Sequence, residues 1–307
     1  MVKDSASEVP SLSVVVPTRN RAEHTVACLE AILANTGLDE VVVVDQSDGH
    51  ETEQKIWSLN DARVRYLRTD TRGVTRARNI GIEATNCEII AFTDDDCRVA
   101  RDWASSIARV FAADAEVGVV CGSVRIPEDI RDVGFVMSFE PSVREWQNRY
   151  PPFGSDWGIT ANLAVRRSAL GRIGNFDPML GPGSPMRAGE EPDFLFRALK
   201  CGLKVVNAKE AWVDHLGVRR PGSEATNLLR GYGLGTGAAL FKHVRLGDPA
   251  GTALYLAFLG ASVRRVYDNV VHGTRPLGLG FLAAFLSGSL TSFQFRVDRE
   301  WRQYVAR

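Results

Sequence analysis

Three consecutive aspartates, Asp94, Asp95 and Asp96, follow an apolar stretch that is typical of a buried strand. Adjacent carboxylates repel one another unless a cation lies between them. Hard oxygen ligands of this kind suit Mg²⁺ or Mn²⁺, which proteins commonly bind together with phosphate groups. A solvated turn or a helix cap is the structural alternative, because Asp is common at both. The position of the triplet directly after a strand favours a metal site.

A second acidic group, made of Glu190, Glu191 and Asp193, stands at the start of a helix predicted to reach Lys200. Acidic residues at a helix N-terminus interact favourably with the helix dipole, which would be a purely structural role. The functional alternative is a general base that takes the proton from an attacking hydroxyl, a contribution of roughly 10²–10⁴ in rate. The sequence leaves open which of the three carboxylates would act in this way.

His215 follows a strand-like run and lies downstream of both acidic groups. A lone histidine is more often structural than a metal ligand, but this position favours a metal-binding role. The serine, cysteine and histidine residues show no nucleophilic triad. The sequence therefore indicates chemistry based on carboxylates and a metal ion.

These side chains need a framework, and the first two-thirds of the chain alternates between short apolar stretches and amphipathic ones. Strands are predicted at 13–17, Glu40–Asp45, 64–67, 88–93 and 117–121, and helices at 22–34, Val74–Ala84 and 102–113. Such alternation predicts βαβ units, and hence an α/β fold with a Rossmann-like, mostly parallel, doubly wound sheet. Ligands of these sheets bind beyond the carboxyl ends of the strands. The motifs at 17–20, 45–48 and 93–96 are therefore expected to share one cleft.

The chain has 307 residues, of which 45% are hydrophobic, and its 37 basic and 37 acidic residues give no net charge. This composition excludes wholesale disorder and argues against a nucleic-acid binder with a uniformly basic surface. The balance hides an asymmetry, because the segment from Arg219 onward carries 12 basic and 5 acidic residues. The part of the chain before Arg219, the body, is therefore acidic and suits cations. The part from Arg219 onward, the tail, is basic and suits an anionic surface.

The tail contains two charge-free stretches, 249–263 and 276–295. The first is too short to span a bilayer, and glycine, serine and threonine dilute the apolar character of the second. We therefore predict a helical C-terminal region, residues 223–307, that lies in the membrane interface. Packing on the body, a homodimer and a true span are the alternatives. The glycine-rich segment 231–238 lacks the preceding strand of a dinucleotide-binding loop, so a flexible joint or a close-packed helix start is favoured.

Four aromatic residues lie close together in the sequence: Trp146, Tyr150, Phe153 and Trp157. They are expected to form part of the core or a lid, or to stack on an acceptor sugar. The five cysteines are scattered without a Cys-x-x-Cys spacing, which is typical of reduced core thiols in a cytoplasmic protein. Residues 1–13 lack the apolar core of a secretory signal. With the basic tail, these features predict a cytoplasmic protein held peripherally at the inner face of the cell membrane.

Taken in order along the chain, these motifs resemble the inverting glycosyltransferases of family 2, which have the GT-A fold. The resemblance covers about two-thirds of the chain, from residue 12 to residue 219. The matching pieces are the segments 14–21, 43–48, 73–81, 94–96, 158–167 and 174–177 and the Glu190-Glu191 element. The resemblance implies transfer of a sugar from a UDP- or GDP-type nucleotide sugar to an acceptor hydroxyl, with Mn²⁺ or Mg²⁺ as cofactor.

The resemblance also implies a role for each matching residue. Those implied to bind the nucleotide sugar are Pro17, Thr18, Arg19, Asp45, Arg78, Asn79, Asp94, Asp95 and Asn162. Asp96 is implied to bind the metal, with Asp94 and His215 as further ligands. Glu191 is implied to be the base at a position where the family usually has Asp, which leaves Glu190 and Asp193 as alternatives.

We expect residues 1–222 to form the nucleotide-sugar-binding and catalytic domain. The basic apolar tail suggests a lipid-linked saccharide as acceptor, in polysaccharide or glycolipid assembly, and no nucleic-acid partner is expected. A retaining GT-A transferase, a catalytically silent nucleotide-binding scaffold subunit and a nucleotidyltransferase are the alternatives. The last would need a glycine-rich phosphate loop after the first strand, which the segment 17–20 is not.

Overall fold

The computed structural model describes residues 9–150, 157–219, 222–272 and 278–305. Within these ranges the strands of the main sheet are β1 (Leu12–Thr18), β2 (Glu40–Asp45), β3 (Val64–Arg68), β4 (Ile89–Phe92), β5 (Cys97–Val99), β6 (Val117–Arg125), β7 (Glu145–Trp146), β8 (Leu163–Arg166) and β9 (Lys204–His215). The helices are α1 (Ala22–Leu33), α2 (Glu51–Ser58), α3 (Val74–Ala84), α4 (Trp103–Ala113), α5 (Arg167–Ile173), α6 (Glu190–Lys200), α7 (Ser223–Arg245), α8 (Pro249–Val271) and α9 (Leu279–Thr291). A small hairpin of β10 (Arg296–Val297) and β11 (Tyr304–Val305) ends the described chain.

The sheet has the strand order β3-β2-β1-β4-β8-β6-β9-β5, and β7 also pairs with β9. The first four strands in this order are parallel, and β6 runs parallel to β9. Because β8 is antiparallel to both β4 and β6, the strands on its two sides point the same way. The prediction of an α/β fold with a mostly parallel sheet is confirmed. The valines 41–44 are all buried because β2 lies between β1 and β3.

The topology explains how residues far apart in sequence meet at one edge of the sheet. Strands β1 and β4 are parallel neighbours, so Thr18 and the segment after Phe92 lie at the same edge. A turn after β4 reverses the chain into β5, which pairs antiparallel with the end of β9. In that pairing Cys97 lies opposite His215, which brings the aspartate triplet next to the histidine.

The tail is helical, as predicted, but its glycine-rich segment lies inside a continuous helix rather than forming a flexible joint. In α7, Gly233 and Gly237 face the backbone of α9 so closely that an added Cβ would collide with the carbonyl oxygens of Phe281 and Phe285. Gly235 packs in the same way on Ala188, just before α6. Close packing is thus the role of these glycines. Among the described helices, none combines the length and the apolarity that a membrane crossing requires.

A buried ionic cluster joins α7 to the body. Lys242 Nζ lies 2.6 Å from Asp177 Oδ2 and 2.7 Å from Asp193 Oδ1, and Arg197 Nε lies 3.0 Å from Asp193 Oδ2. His243 Nε2 is 3.1 Å from Asp193 Oδ1. The side chains of all five residues are at most 1% exposed. The C-terminal part of α7 is therefore anchored in the body through Lys242 and His243.

Candidate active site

One cleft of about 670 Å³ opens at the carboxyl edge of the sheet. The predicted site residues that line it are Pro17, Thr18, Arg19, Arg78, Asp94, Asp95, Asp96, Glu190, Glu191 and His215. The structure thus brings the aspartate triplet and His215 together with Glu190 and Glu191. Asp45, Asn79, Asn162 and Asp193 do not line the cleft.

Each member of the aspartate triplet has a different environment. Asp94 Oδ1 accepts a hydrogen bond from Arg78 Nη2 at 2.7 Å. Asp95 accepts one from Thr18 Oγ1 at 2.8 Å and one from Arg21 Nη1 at 2.9 Å, so both of its oxygens are engaged. The same Arg21 nitrogen lies 2.9 Å from Asp96 Oδ2. Arg21 therefore acts as an internal counter-cation that bridges two of the three carboxylates.

Burial dominates the electrostatics of Asp95. It raises the pKa of Asp95 to about 6, although the neighbouring Arg21 guanidinium opposes this shift, and the Asp96 charge raises the pKa further. Sequence reasoning missed Arg21, which is a basic residue at the start of α1, directly after the end of β1. The sequence could have indicated Arg21, because it follows the end of β1 and so lies at the same sheet edge as the aspartate triplet. The bridge leaves Asp96 Oδ1 free of the arginine.

A divalent cation fits best between Asp96 and His215. Asp96 Oδ1 and His215 Nε2 are 3.4 Å apart, and Cys97 supplies a third potential ligand atom within 4.8 Å of both. Burial raises the pKa of the Cys97 thiol well above its ordinary value, and hard cations prefer oxygen and nitrogen ligands to a neutral thiol. Gly217 packs on the carboxylate, since an added Cβ there would lie 2.5 Å from Asp96 Oδ2. The geometry and the donor set both suit an ion such as Mn²⁺ or Mg²⁺.

The acidic pair at the start of α6 lines the same cleft. Glu190 is buried, its Oε1 lies 3.8 Å from Arg78 Nη1, and its Oε2 has no hydrogen-bond partner within the described residues. Burial raises the pKa of Glu190 well above its ordinary value, and the Glu191 charge adds to the effect. Glu191 Oε1 accepts hydrogen bonds from Thr160 N at 3.3 Å and from Thr160 Oγ1 at 2.9 Å. The structure thus fixes the orientation of Glu191.

Two of the predicted carboxylates have both oxygens engaged by protein groups away from the cleft. Asp193 is fully buried in the ionic cluster with Lys242 and Arg197. Asp45 accepts hydrogen bonds from the backbone N–H of residue 47 and from the Tyr66 hydroxyl, both at 2.8 Å. The sequence could not distinguish these carboxylates from cleft residues, because Tyr66 and Lys242, which complete their surroundings, come from remote segments.

The two predicted asparagines serve the fold in the same way. Asn162 Oδ1 accepts from Trp103 Nε1 at 2.8 Å, and its Nδ2 donates to the backbone carbonyls of Ser123 and Ala211. Asn79 pairs with both backbone groups of Phe176. Both amides are therefore engaged by the fold, and neither lines the cleft.

Helix α7 forms one wall of the cleft, which sequence reasoning also missed. Leu228, Tyr232 and Thr236 occur every fourth residue on α7 and line the cleft together. This spacing puts them on one helix face. The repeat was visible in the sequence, but the interspersed glycines obscured the helix. The C-terminal region therefore contributes directly to the site.

The aromatic group divides between the core and the cleft. Tyr150 stacks on Phe196 with ring centroids 4.8 Å apart, and Trp146 is buried. Trp157 lines the cleft. Phe153 lies outside the described residues.

Comparison with known proteins places the chain in a family of enzymes. The family model "Glycosyl transferase family 2" matches residues 13–174, more than half of the chain. The succinoglycan biosynthesis protein ExoO of Rhizobium meliloti is 37% identical over 115 residues, which cover 36% of this chain and 33% of that protein. The validoxylamine A glucosyltransferase of Streptomyces hygroscopicus subsp. jinggangensis is 27% identical over 248 residues, 68% of this chain and 56% of that protein. The chain thus spans less than two-thirds of the length of these relatives.

Solved structures share the fold at low identity. The mannosyltransferase PcManGT of Pyrobaculum calidifontis, solved with GDP-Man and Mn²⁺, gives a TM-score of 0.60 at 18% identity, over 94% of this chain and 88% of that one. GalNAc-T7, solved with UDP, GalNAc and Mn²⁺, gives a TM-score of 0.54 at 18% identity, over 73% of this chain and 48% of that one. S. aureus TarS gives a TM-score of 0.57 at 14% identity, over 94% of this chain and 55% of that one. These neighbours agree with a GT-A fold, and the family match shows that the chain belongs to glycosyl transferase family 2.

Proposed function

We propose that this glycosyltransferase moves a sugar from a UDP- or GDP-linked donor to an acceptor hydroxyl, with inversion at the anomeric carbon. The observation that carries the proposal is that Asp96 with His215, and Glu190 with Glu191, line one cleft. An inverting displacement needs a leaving-group stabiliser on one side of the sugar and a base on the other. The two pairs supply these two functions.

Asp96 and His215 would hold the metal ion. A divalent ion bound there neutralises the charge that develops on the departing diphosphate. The neighbours solved with GDP-Man and with UDP both hold Mn²⁺, which supports a divalent ion and leaves the choice between Mn²⁺ and Mg²⁺, and between UDP and GDP, to experiment.

Arg78 and Asp94 would hold the donor sugar or ribose. The Arg78 side chain is buried, and its Nε and Nη1 have no hydrogen-bond partner within the described residues. Buried donors of this kind are costly unless a ligand satisfies them. Thr18 supports the site through Asp95, and Arg19 lies exposed at the rim, where it would meet the nucleotide.

Glu191 is the base that we propose, rather than Glu190 or Asp193. Burial raises the pKa of Glu190 and so shifts this carboxyl towards the protonated form, which makes it the less suitable base. Asp193 is sealed inside the ionic cluster. The hydrogen bonds from Thr160 fix the orientation of Glu191 inside the cleft.

Glu191→Gln tests this assignment. We expect unchanged nucleotide binding and a turnover lower by roughly two decades or more. Glu190→Gln is the matched control, since an amide there replaces a carboxyl whose neutral form is already favoured. NMR of the product's anomeric configuration separates an inverting from a retaining enzyme. Full activity of Glu191→Gln would overturn the base assignment, and retention of configuration would overturn the mechanism.

We also propose that the tail contacts an anionic membrane surface, such as the inner face of the cell membrane, which suits a lipid-linked acceptor. The exposed apolar side chains of α8 and α9 include Val263, Tyr267, Val270, Val271, Leu279, Leu286 and Leu290. Arg264, next to them on α8, has an 83% exposed side chain. Apolar side chains flanked by exposed cations are typical of helices that lie in a membrane interface.

Flotation with vesicles of phosphatidylcholine and phosphatidylglycerol tests the membrane contact. The double replacement Tyr267→Ser and Val270→Ser should lower binding by roughly tenfold. Val133→Ser, at an exposed apolar residue of the body, is the matched control. A dimer in sedimentation together with no vesicle binding would overturn the proposal in favour of a homodimer. Deletion of the whole tail is not a clean test, because the ionic cluster would be broken.

A further inference from the structure

Among the described residues, six arginines line the cleft, and they differ in their partners. Four of them face carboxylates: Arg21 and Arg78 face the aspartate triplet, and Arg19 and Arg72 face Asp48. The side chains of the other two make no ion pair or hydrogen bond within the part of the chain that the structure describes; Arg187 is exposed and Arg219 is half-buried. These two guanidinium groups thus have no counter-charge among the described residues.

The backbone holds Arg187 in a strained conformation. Its φ of +64° lies in the left-handed region, which L side chains rarely adopt. The turn is fixed by hydrogen bonds from Arg187 N to Ser184 O at 3.2 Å and from Ala188 N to Met186 O at 2.8 Å. Helix α7 packs directly on this turn through Gly235. Local strain of this kind is concentrated at functional sites.

Arg219 lines the same cleft, where its backbone is anchored. Its backbone N–H and C=O pair with Phe135 at 2.8 and 2.9 Å. Its charge acts on Tyr232, where it opposes the rise in the Tyr232 pKa that burial and then Glu191 and Glu190 produce. Tyr232 therefore lies near both Arg219 and the proposed base, on the side of the cleft formed by α6 and α7.

The lining beside these arginines is apolar. Phe135, Met137 and Leu228 line the cleft together with Tyr232. An acceptor that fills this half of the cleft meets two unpaired guanidinium groups and a hydrocarbon wall. Guanidinium groups bind phosphate oxygens in a bidentate manner, and the wall suits a hydrocarbon chain.

We propose that Arg187 and Arg219 form an acceptor subsite for a phosphate group, with Tyr232 and the adjacent apolar side chains in contact with the group that the phosphate carries. The inference rests on the proposed transfer reaction and names its acceptor class: a phosphorylated amphiphile or a free phosphorylated sugar. Residues 187, 219 and 232 all lie outside the segment that the family model matches. They are specificity-determining residues, because they select the acceptor and take no part in bond breaking.

Calorimetric titration of the full chain, saturated with nucleotide and Mg²⁺, tests the subsite. The probes are octyl phosphate, octyl β-D-glucoside and inorganic phosphate, with the octyl compounds below their micelle concentrations. Octyl phosphate should bind about tenfold or more tightly than the neutral glucoside. Inorganic phosphate that binds as well as octyl phosphate indicates a free phosphorylated acceptor, and tighter binding of octyl phosphate indicates a lipid-linked one.

Arg187→Gln and Arg219→Gln should each weaken octyl phosphate binding by about tenfold, and leave octyl glucoside and nucleotide binding unchanged. Arg101→Gln, at an exposed arginine outside the cleft and outside the tail, is the control for total charge. Equal affinity for octyl phosphate and octyl glucoside would overturn the proposal, and so would arginine variants that weaken only the nucleotide. Failure of the proposed transfer reaction is distinguishable, because it appears first as absence of metal-dependent nucleotide binding by the unsubstituted protein.

Discussion

Replacement of Lys242 by methionine tests how firmly the tail belongs to the catalytic body. Lys242 Nζ lies within 2.7 Å of both Asp177 and Asp193, and all three side chains are fully buried. The two carboxylates are balanced by Lys242 and Arg197, so Lys242→Met leaves one buried negative charge without a counter-cation. Methionine retains most of the apolar volume, so the change removes charge rather than packing.

The expected cost follows from the burial. Removing one partner of a fully buried ion pair costs about 3–5 kcal/mol. For a chain of this size, a loss of that magnitude lowers Tm by on the order of 10 °C. The measurement is thermal and urea unfolding of the full chain. Because Asp193 lies in the same helix as Glu190 and Glu191, turnover should also fall at temperatures where the chain remains folded.

Lys200→Met is the matched control. Lys200 also lies on α6 and pairs with Asp248 at 3.0 Å, but it is 36% exposed and Arg302 remains as a second partner of Asp248. Lys200→Met should lower the free energy of unfolding by less than about 1 kcal/mol. The double variant Lys242→Met with Asp177→Asn removes the unpaired charge and should recover part of the loss. A Lys242→Met protein within 1 kcal/mol of the unsubstituted one would refute the view that the cluster locks the tail to the body.

Two further predictions concern pH and the metal. Burial lowers the pKa of His243 to about 4, below its unfolded value of about 6.5, so the unfolded chain binds the proton more readily. The free energy of unfolding should therefore rise by up to about 3 kcal/mol between about pH 4 and 6.5. Urea unfolding of His243→Gln over the same pH range should lack this rise. Arg21→Met removes the cation between Asp95 and Asp96, so Mn²⁺ affinity without nucleotide, measured by EPR of free Mn²⁺, should rise by roughly tenfold. Arg19→Met, whose nearest carboxylate is the exposed Asp48, is its control and should not change that affinity. An unchanged pH dependence of unfolding in His243→Gln would contradict the first explanation. An equal change of Mn²⁺ affinity in the two arginine variants would contradict the second.

Much of the fold could be predicted from local patterns. The valine run of β2 and the helical spacing of α1 and α3 specify their elements without help from distant residues. Strand β5 was missed because it has three residues and exists through its pairing with β9. The tail was predicted to be helical, but a flexible joint was left open at 231–238, because each glycine lowers helix propensity by about 1 kcal/mol, a cost that close packing on α9 offsets.

The site was predictable where residue type and strand end coincide, as at the aspartate triplet. His215 is brought to the triplet by the antiparallel pairing of β5 and β9, which no local pattern reveals. Asp45, Asp193 and Asn162 have the residue types of a site, yet remote partners from the fold engage them. The repeat that α7 contributes is visible in the sequence, but its place at the cleft depends on tertiary packing.

The most direct measurement is calorimetric titration of UDP and of GDP into the full chain, with and without Mn²⁺, for the unsubstituted protein and for Asp96→Asn. Asp96 lies 3.4 Å from His215 at the edge of the cleft that also contains Glu191. We predict that one of the two nucleotides binds in a Mn²⁺-dependent manner, and that Asp96→Asn abolishes the effect of Mn²⁺ while the protein remains folded. Nucleotide binding that is indifferent to Mn²⁺, or unchanged in Asp96→Asn, would contradict a metal-assisted transfer at this site.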